Sequence, residues 1–167
     1  EGKSAFDSVL EYATSLPDTE SVVVLCGDDF PMSKWPGLQT IHDEAWSVKK
    51  LGGWLARLAD GIDNLFFMHG DTPFLDAGKT KEMYANHTKY AAHYSFADGY
   101  PWGLTPQIIG SSTAKAIDSL AGEDDGPVER NTIFEVLKKD INAFDIETDI
   151  AAVDQRLLRV TLAADTD

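Results

Sequence analysis

The sequence predicts an α/β fold: a three-layer α/β/α sandwich around a mixed, mostly parallel sheet. Three observations lead there. Short apolar runs at 21–26, 65–69 and 157–162 lack the polar alternation of a one-sided sheet, so they read as strands buried on both faces. Segments with apolar residues three and four apart separate them and read as amphipathic helices. Gly, Pro and Asp collect where the runs end, as expected of turns at strand termini. The 167 residues are enough for one domain with a core and too few for two of ordinary size, so 1–167 reads as a single domain.

Taken in order, residues 3–16 carry Phe6, Val9, Leu10, Ala13 and Leu16 on one helical face, and Pro17 ends the segment. Gly2–Lys3–Ser4 matches the tail of a phosphate-binding P-loop, but the first Gly of that motif and the strand before it are missing, so the match is set aside. Ser21–Cys26 is a strand ending at Gly27–Asp28–Asp29, and a short strand is expected near 38–41. Residues 45–59 return to helical spacing through Trp46, Leu51, Leu55 and Leu58. Gly52–Gly53 fits a helix there only where a neighbour packs very closely. After the 65–69 strand come a polar helix at 77–89, a strand at 91–96 and a bent loop, Asp98–Gly99–Tyr100–Pro101–Trp102–Gly103. A helix over 111–120 follows, with Ser111 or Ser112 as its cap, then a helix at 129–139 and the apolar run 157–162.

Composition narrows the functional classes. A formal net charge of −14 excludes a general nucleic-acid surface, which needs clustered Lys and Arg. No apolar run approaches the length that crosses a bilayer, and the start lacks a signal-peptide pattern, so a cytoplasmic setting is expected. Cys26 is the only cysteine and reads as a small core residue. His42, His69, His87 and His93 show no zinc spacing, and no Gly-x-Ser-x-Gly elbow is present.

The chemistry concentrates in Leu65–Phe66–Phe67–Met68–His69–Gly70–Asp71–Thr72–Pro73. Gly70 frees the backbone to turn, Pro73 ends strand pairing, and Asp71 stands beyond the strand's carboxyl end, where ligands of open α/β sheets bind. A carboxylate there suits a divalent cation carrying phosphate oxygens; it equally suits a turn whose Asp caps the next helix. Asp165, after the 157–162 run, could share that ion if both strands end on one sheet edge.

Four segments resemble one family. Gly70–Asp71–Thr72–Pro73–Phe74–Leu75 resembles the Gly-Asp-x-Pro signature of GT-A-type nucleotidyltransferases. Gly99–Tyr100–Pro101–Trp102–Gly103–Leu104 is similar to the substrate-side loop of their spore-coat polysaccharide branch. Glu129–Arg130–Asn131–Thr132 is close to that branch's Glu-Arg-x-x-x-Thr region. Leu158–Arg159–Val160–Thr161–Leu162–Ala163–Ala164–Asp165–Thr166 is similar to its Leu-Arg-Leu-Thr-Val-Asp-Thr segment, with one extra residue before the Asp.

The resemblance implies a nucleotide-diphospho-sugar transferase-like fold and a Mg²⁺-dependent transfer from a nucleoside triphosphate, CTP among the candidates, to a sugar or sugar phosphate. Asp71 and Asp165 would be the catalytic, metal-binding pair. Lys3, Tyr100, Pro101, Trp102, Gly103 and Arg130 would bind substrate. The family opens with a strand and a Gly-rich basic loop, whereas Lys3 here matches the end of that element. The expectation is therefore a piece of a longer chain, or a GT-A-like domain that serves packing or partner binding without catalysis.

Overall fold

The computed structural model describes residues 2–164. Its elements are α1 (Ala5–Ser15), β1 (Val23–Cys26), β2 (Gln39–His42), α2 (Val48–Leu58), β3 (Asn64–Phe67), α3 (Ala77–Lys89), β4 (Tyr94–Asp98), β5 (Gln107–Gly110), α4 (Ser111–Leu120), α5 (Thr132–Leu137) and β6 (Ile146–Ile150). The α/β class is as the sequence predicts. β1 and β2 form a parallel pair, while β3, β5, β4 and β6 lie side by side in that order. β5 runs antiparallel to both neighbours, and β4 and β6 are parallel.

The helices start where short polar side chains take up the orphan amides of the first turn. Ser4 caps α1 in a reciprocal box with Asp7, Ser47 caps α2 through the Lys50 amide, and Asp76 caps α3 through the Lys79 amide. At α4 the cap position falls on Gly110, and Ser111 is already helical.

The core has two faces because β5 is buried on both. Ile109 joins Leu51, Leu55, Ile117, Ile133 and Leu137 under α2, α4 and α5, while its neighbour Ile108, pointing the other way, is equally inaccessible. On that second side α3 packs on β4 and β6 and presents Thr80, Met83 and His87, and the Tyr12 hydroxyl of α1 donates to Thr80 Oγ1 at 2.6 Å. Gly52 is explained by close packing: a Cβ there would stand 3.1 Å from the Asp118 Cα and 3.3 Å from the Ala121 Cβ of α4 and its cap.

Two expectations are corrected. The 157–162 run is not a strand. Arg156–Leu158 is a 3-10 turn, Arg159 has φ +53°, and only Thr161 makes a bridge, to Trp102. Leu157, Leu158 and Val160 are exposed, so their apolarity is not spent on a core. The strands at 23–26 and 64–67 also fall in separate sheets among the described residues. Two strands were not foreseen, β5 and β6. β6 (Ile-Glu-Thr-Asp-Ile) carries two acids that disguise it, and it forms the sheet's outer edge, where charge deters further pairing.

Candidate functional site

β3 ends at Phe67 and delivers the loop that the sequence singles out. The loop closes on itself: the Thr72 hydroxyl donates to His69 O at 2.7 Å, and Thr72 is buried. Asp71 does not cap α3, since Asp76 holds that position, so the helix-cap reading of Asp71 fails. The Asp76 amide donates to Leu104 O at 2.8 Å and ties this loop to the 99–106 loop.

Gly103 makes the approach possible. Its φ is +90°, and a Cβ would lie 2.9 Å from Thr72 Cγ2, so a larger residue would be strained and would push the loops apart. The chain's last described residues then stitch both loops together. The Leu162 amide donates to Trp102 O at 2.9 Å, and the Ala164 amide donates to Asp71 O at 2.6 Å. Asp165 follows directly and lies outside the described residues.

Three side chains of the resemblance meet here. The Arg130 guanidinium lies over the Trp102 ring, 3.9 Å from its centroid, and one of its nitrogens is 3.6 Å from Asp71 Oδ2. The His69 ring packs against Trp102 at 5.2 Å and Phe67 at 5.5 Å. Burial pushes the His69 imidazole below its ordinary pKa; the Asp71 charge opposes that shift, the Arg130 charge reinforces it, and a hydrogen bond to the Arg130 backbone opposes it. Two buried polar atoms in this group have no hydrogen-bond partner, His69 Nε2 and Asp71 Oδ1. Such atoms are rare in folded proteins.

His69, Trp102 and Arg130 line a cleft of about 430 Å³ together with Tyr100, Pro101 and Gly103; Asp71 is not among its lining residues, though its neighbour Thr72 is. Gln107, Asn131, Asp98 and Arg156 also face it and were not selected from sequence. Asp98 had a legible signal, a carboxylate at a strand end. Arg156 reaches the site only because a distant turn brings its guanidinium to Asp98 at 2.9 Å. Tyr100 serves partly as an anchor: its hydroxyl donates to Asp149 Oδ1 at 2.9 Å, beside Lys79. Lys3 pairs with Glu11 on the exposed side of α1 and does not line the cleft. A larger groove of about 730 Å³ runs between α2 and α4, but Lys49 and Lys115 there are paired with Asp118 and Asp60, and none of the residues selected from sequence lines it.

Among the described residues no three His, Cys, Asp or Glu side chains converge as a metal cage. Asp71 with its unpartnered oxygen instead fits a cation held by one or two carboxylates plus substrate phosphates, the habit of Mg²⁺.

No family profile matches the chain. An uncharacterized protein of Treponema pallidum (strain Nichols) is 41% identical over 54 residues, which are 32% of this chain and 25% of that protein. The matched segment thus spans about a quarter of that relative. Solved structures agree over nearly the whole chain. A cytidylyltransferase from Leptospira borgpetersenii serovar Hardjo-bovis (strain JB197) superposes with TM-score 0.72 at 18% identity, covering 97% of this chain and 70% of that one. A protein from Mycobacterium sp. strain JC1, homologous to one of Mycobacterium tuberculosis, gives 0.64 at 16% identity, with 99% and 79% covered. A chain described as a nucleotide-diphospho-sugar transferase from Desulfovibrio desulfuricans G20 gives 0.54 at 13%, with 91% and 68% covered. The fold is therefore that of the nucleotide-diphospho-sugar transferases.

Proposed function

We propose that this chain carries the metal and acceptor side of a Mg²⁺-dependent nucleotidyltransferase, which moves a nucleotidyl group from a triphosphate, CTP foremost, to a sugar, sugar acid or sugar phosphate. One observation carries the reading: Asp71 keeps a buried, unpartnered oxygen and lies 3.6 Å from Arg130, which with Trp102 walls the adjoining cleft. CTP is put first because the Leptospira neighbour is a cytidylyltransferase. Mg²⁺, when bound, would neutralise phosphate charge and align the α-phosphate for in-line attack.

The remaining work falls to side chains. Arg130 supplies a fixed guanidinium for phosphate oxygens, a planar donor suited to that geometry. Trp102 and Tyr100 offer flat faces on which a sugar ring can lie. The Thr72–His69 turn holds Asp71 in place while the acceptor is oriented, so that proximity lowers the barrier. Asp165 would be the second carboxylate, next to an Ala164 already bonded to Asp71.

Calorimetry with CTP and Mg²⁺ tests this. Asp71→Asn is expected to weaken binding at least about tenfold, or ~1.4 kcal/mol. Binding that survives the substitution unchanged would remove Asp71 from the metal role. That result would favour the second reading, a non-catalytic domain, for which the Arg130–Asp71 ion pair is an ordinary loop brace.

A further inference from the structure

We infer that Arg130 is a counter-charge gate on Asp71, so that the cleft accepts a divalent cation and a phosphate-type anion together and binds either one poorly alone. The inference rests on the metal reading above and concerns how this chain's own residues control it. The two oxygens of Asp71 differ. Oδ2 faces an Arg130 nitrogen at 3.6 Å, while Oδ1 is buried with no partner. The guanidinium has a defined seat, stacked 3.9 Å over the Trp102 ring, so its charge is held beside the carboxylate by an aromatic surface.

A bare divalent cation arriving at Asp71 would meet the like charge of Arg130 within a few ångströms of the carboxylate. A bare phosphate arriving at Arg130 would find a guanidinium already paired and the Asp71 carboxylate repelling it. A cation–phosphate complex relieves both conflicts at once, because the anion lies between metal and guanidinium and turns repulsion into two attractions. The ion pair is poised to yield. At 3.6 Å it is long, and both side chains are 42% exposed, so breaking it costs little. The arrangement gives an acidic chain a means of keeping stray cations off Asp71, despite a net charge of −14. Because the coupling is thermodynamic, it is reciprocal: whatever the anion does for the metal, the metal does for the anion.

The test uses Mn²⁺ as the metal probe and preformed Mn²⁺–pyrophosphate as the complex, with binding read by electron paramagnetic resonance and calorimetry. Arg130→Met is expected to bind Mn²⁺ alone about tenfold more tightly than the parent and to bind the complex about tenfold more weakly, a coupling of ordinary size. Arg130→Lys keeps the charge and is expected to retain weak binding of Mn²⁺ alone. Arg130→Gln also removes the charge at a partly exposed position and is expected to reproduce the tighter binding of Mn²⁺ alone, so the test stands even if the Met variant folds poorly. Equal Mn²⁺ affinity in the parent and Arg130→Met, with binding still abolished by Asp71→Asn, would overturn the gate and leave the metal reading standing. Mn²⁺ binding indifferent to Asp71→Asn, or no binding of the complex at all, would overturn both.

Discussion

At the scale of single residues, His87 makes the sharpest prediction. It is buried between α3, β3 and β4, where Nε2 lies 2.9 Å from Asn64 Oδ1 and Nδ1 lies 2.7 Å from Ser95 Oγ. The amide oxygen can only accept, so Nε2 carries the proton and Nδ1 accepts from the Ser95 hydroxyl. A second proton would turn the Ser95 hydroxyl from donor to acceptor and place a charge in a buried site. Burial, aided by the nearby His93, accordingly lowers the pKa below the ordinary 6.5. In the window between the lowered folded value and 6.5 the unfolded chain binds more protons, so stability rises with pH there and falls as pH drops below 6.5. Urea unfolding at pH 7.5 and pH 5.5 checks this: the parent is expected to lose stability at the lower pH, and His87→Gln to lose less. At the same scale, the sequence showed Asp71, Trp102 and Arg130 as separate motif members, and the fold brings them together. It could not show that His69 Nε2 and Asp71 Oδ1 are unpartnered, because partnerlessness is a property of packing across loops far apart in sequence.

Among elements, α2 separates two adjacent glycines by their surroundings. Gly52 faces the backbone of α4 at 3.1 Å, and backbone cannot swing aside; Gly53 would meet only the flexible Asp118 carboxylate at 3.6 Å. Gly52→Ala is expected to destabilise by about 1–3 kcal/mol through overpacking. Gly53→Ala is expected to gain up to about 1 kcal/mol from helix propensity. Denaturant midpoints of the two variants check the contrast, and equal shifts would contradict the helix packing described. The elements also show what can be read from composition. The helices at 77–89 and 111–120 were legible because period and burial agree in them. The strand at 65–69 was legible as a strand, but it ends at Phe67, lies at the sheet's edge and is half-buried instead of covered on both faces. The run 157–162 misled because apolar composition does not guarantee a partner: Leu157 is 86% exposed, and the positive φ at Arg159 breaks any extended course. β6 escaped notice for the opposite reason, as Glu147 and Asp149 obscure its alternation while Asp149 anchors Tyr100 and Lys79.

For the whole molecule, the division into a two-stranded and a four-stranded sheet bears on colloidal behaviour. One continuous sheet would have two outer margins; two sheets have four. The margin at β6 is guarded by Glu147 and Asp149, but β1 (Val-Val-Leu-Cys) and β3 (Asn-Leu-Phe-Phe) contain no charged residue, and each is paired on one side only among the described residues. Mutual repulsion between molecules of net charge −14 is then what keeps such margins from templating one another. That protection vanishes near pH 4.5, where the net charge passes through zero. Light scattering is expected to rise steeply as the pH approaches that value, and Val24→Lys, which places a gatekeeper on β1, is expected to delay it. The acidity of this chain thus acts as an insurance against self-templating, and acidified compartments or purification buffers are where that insurance lapses.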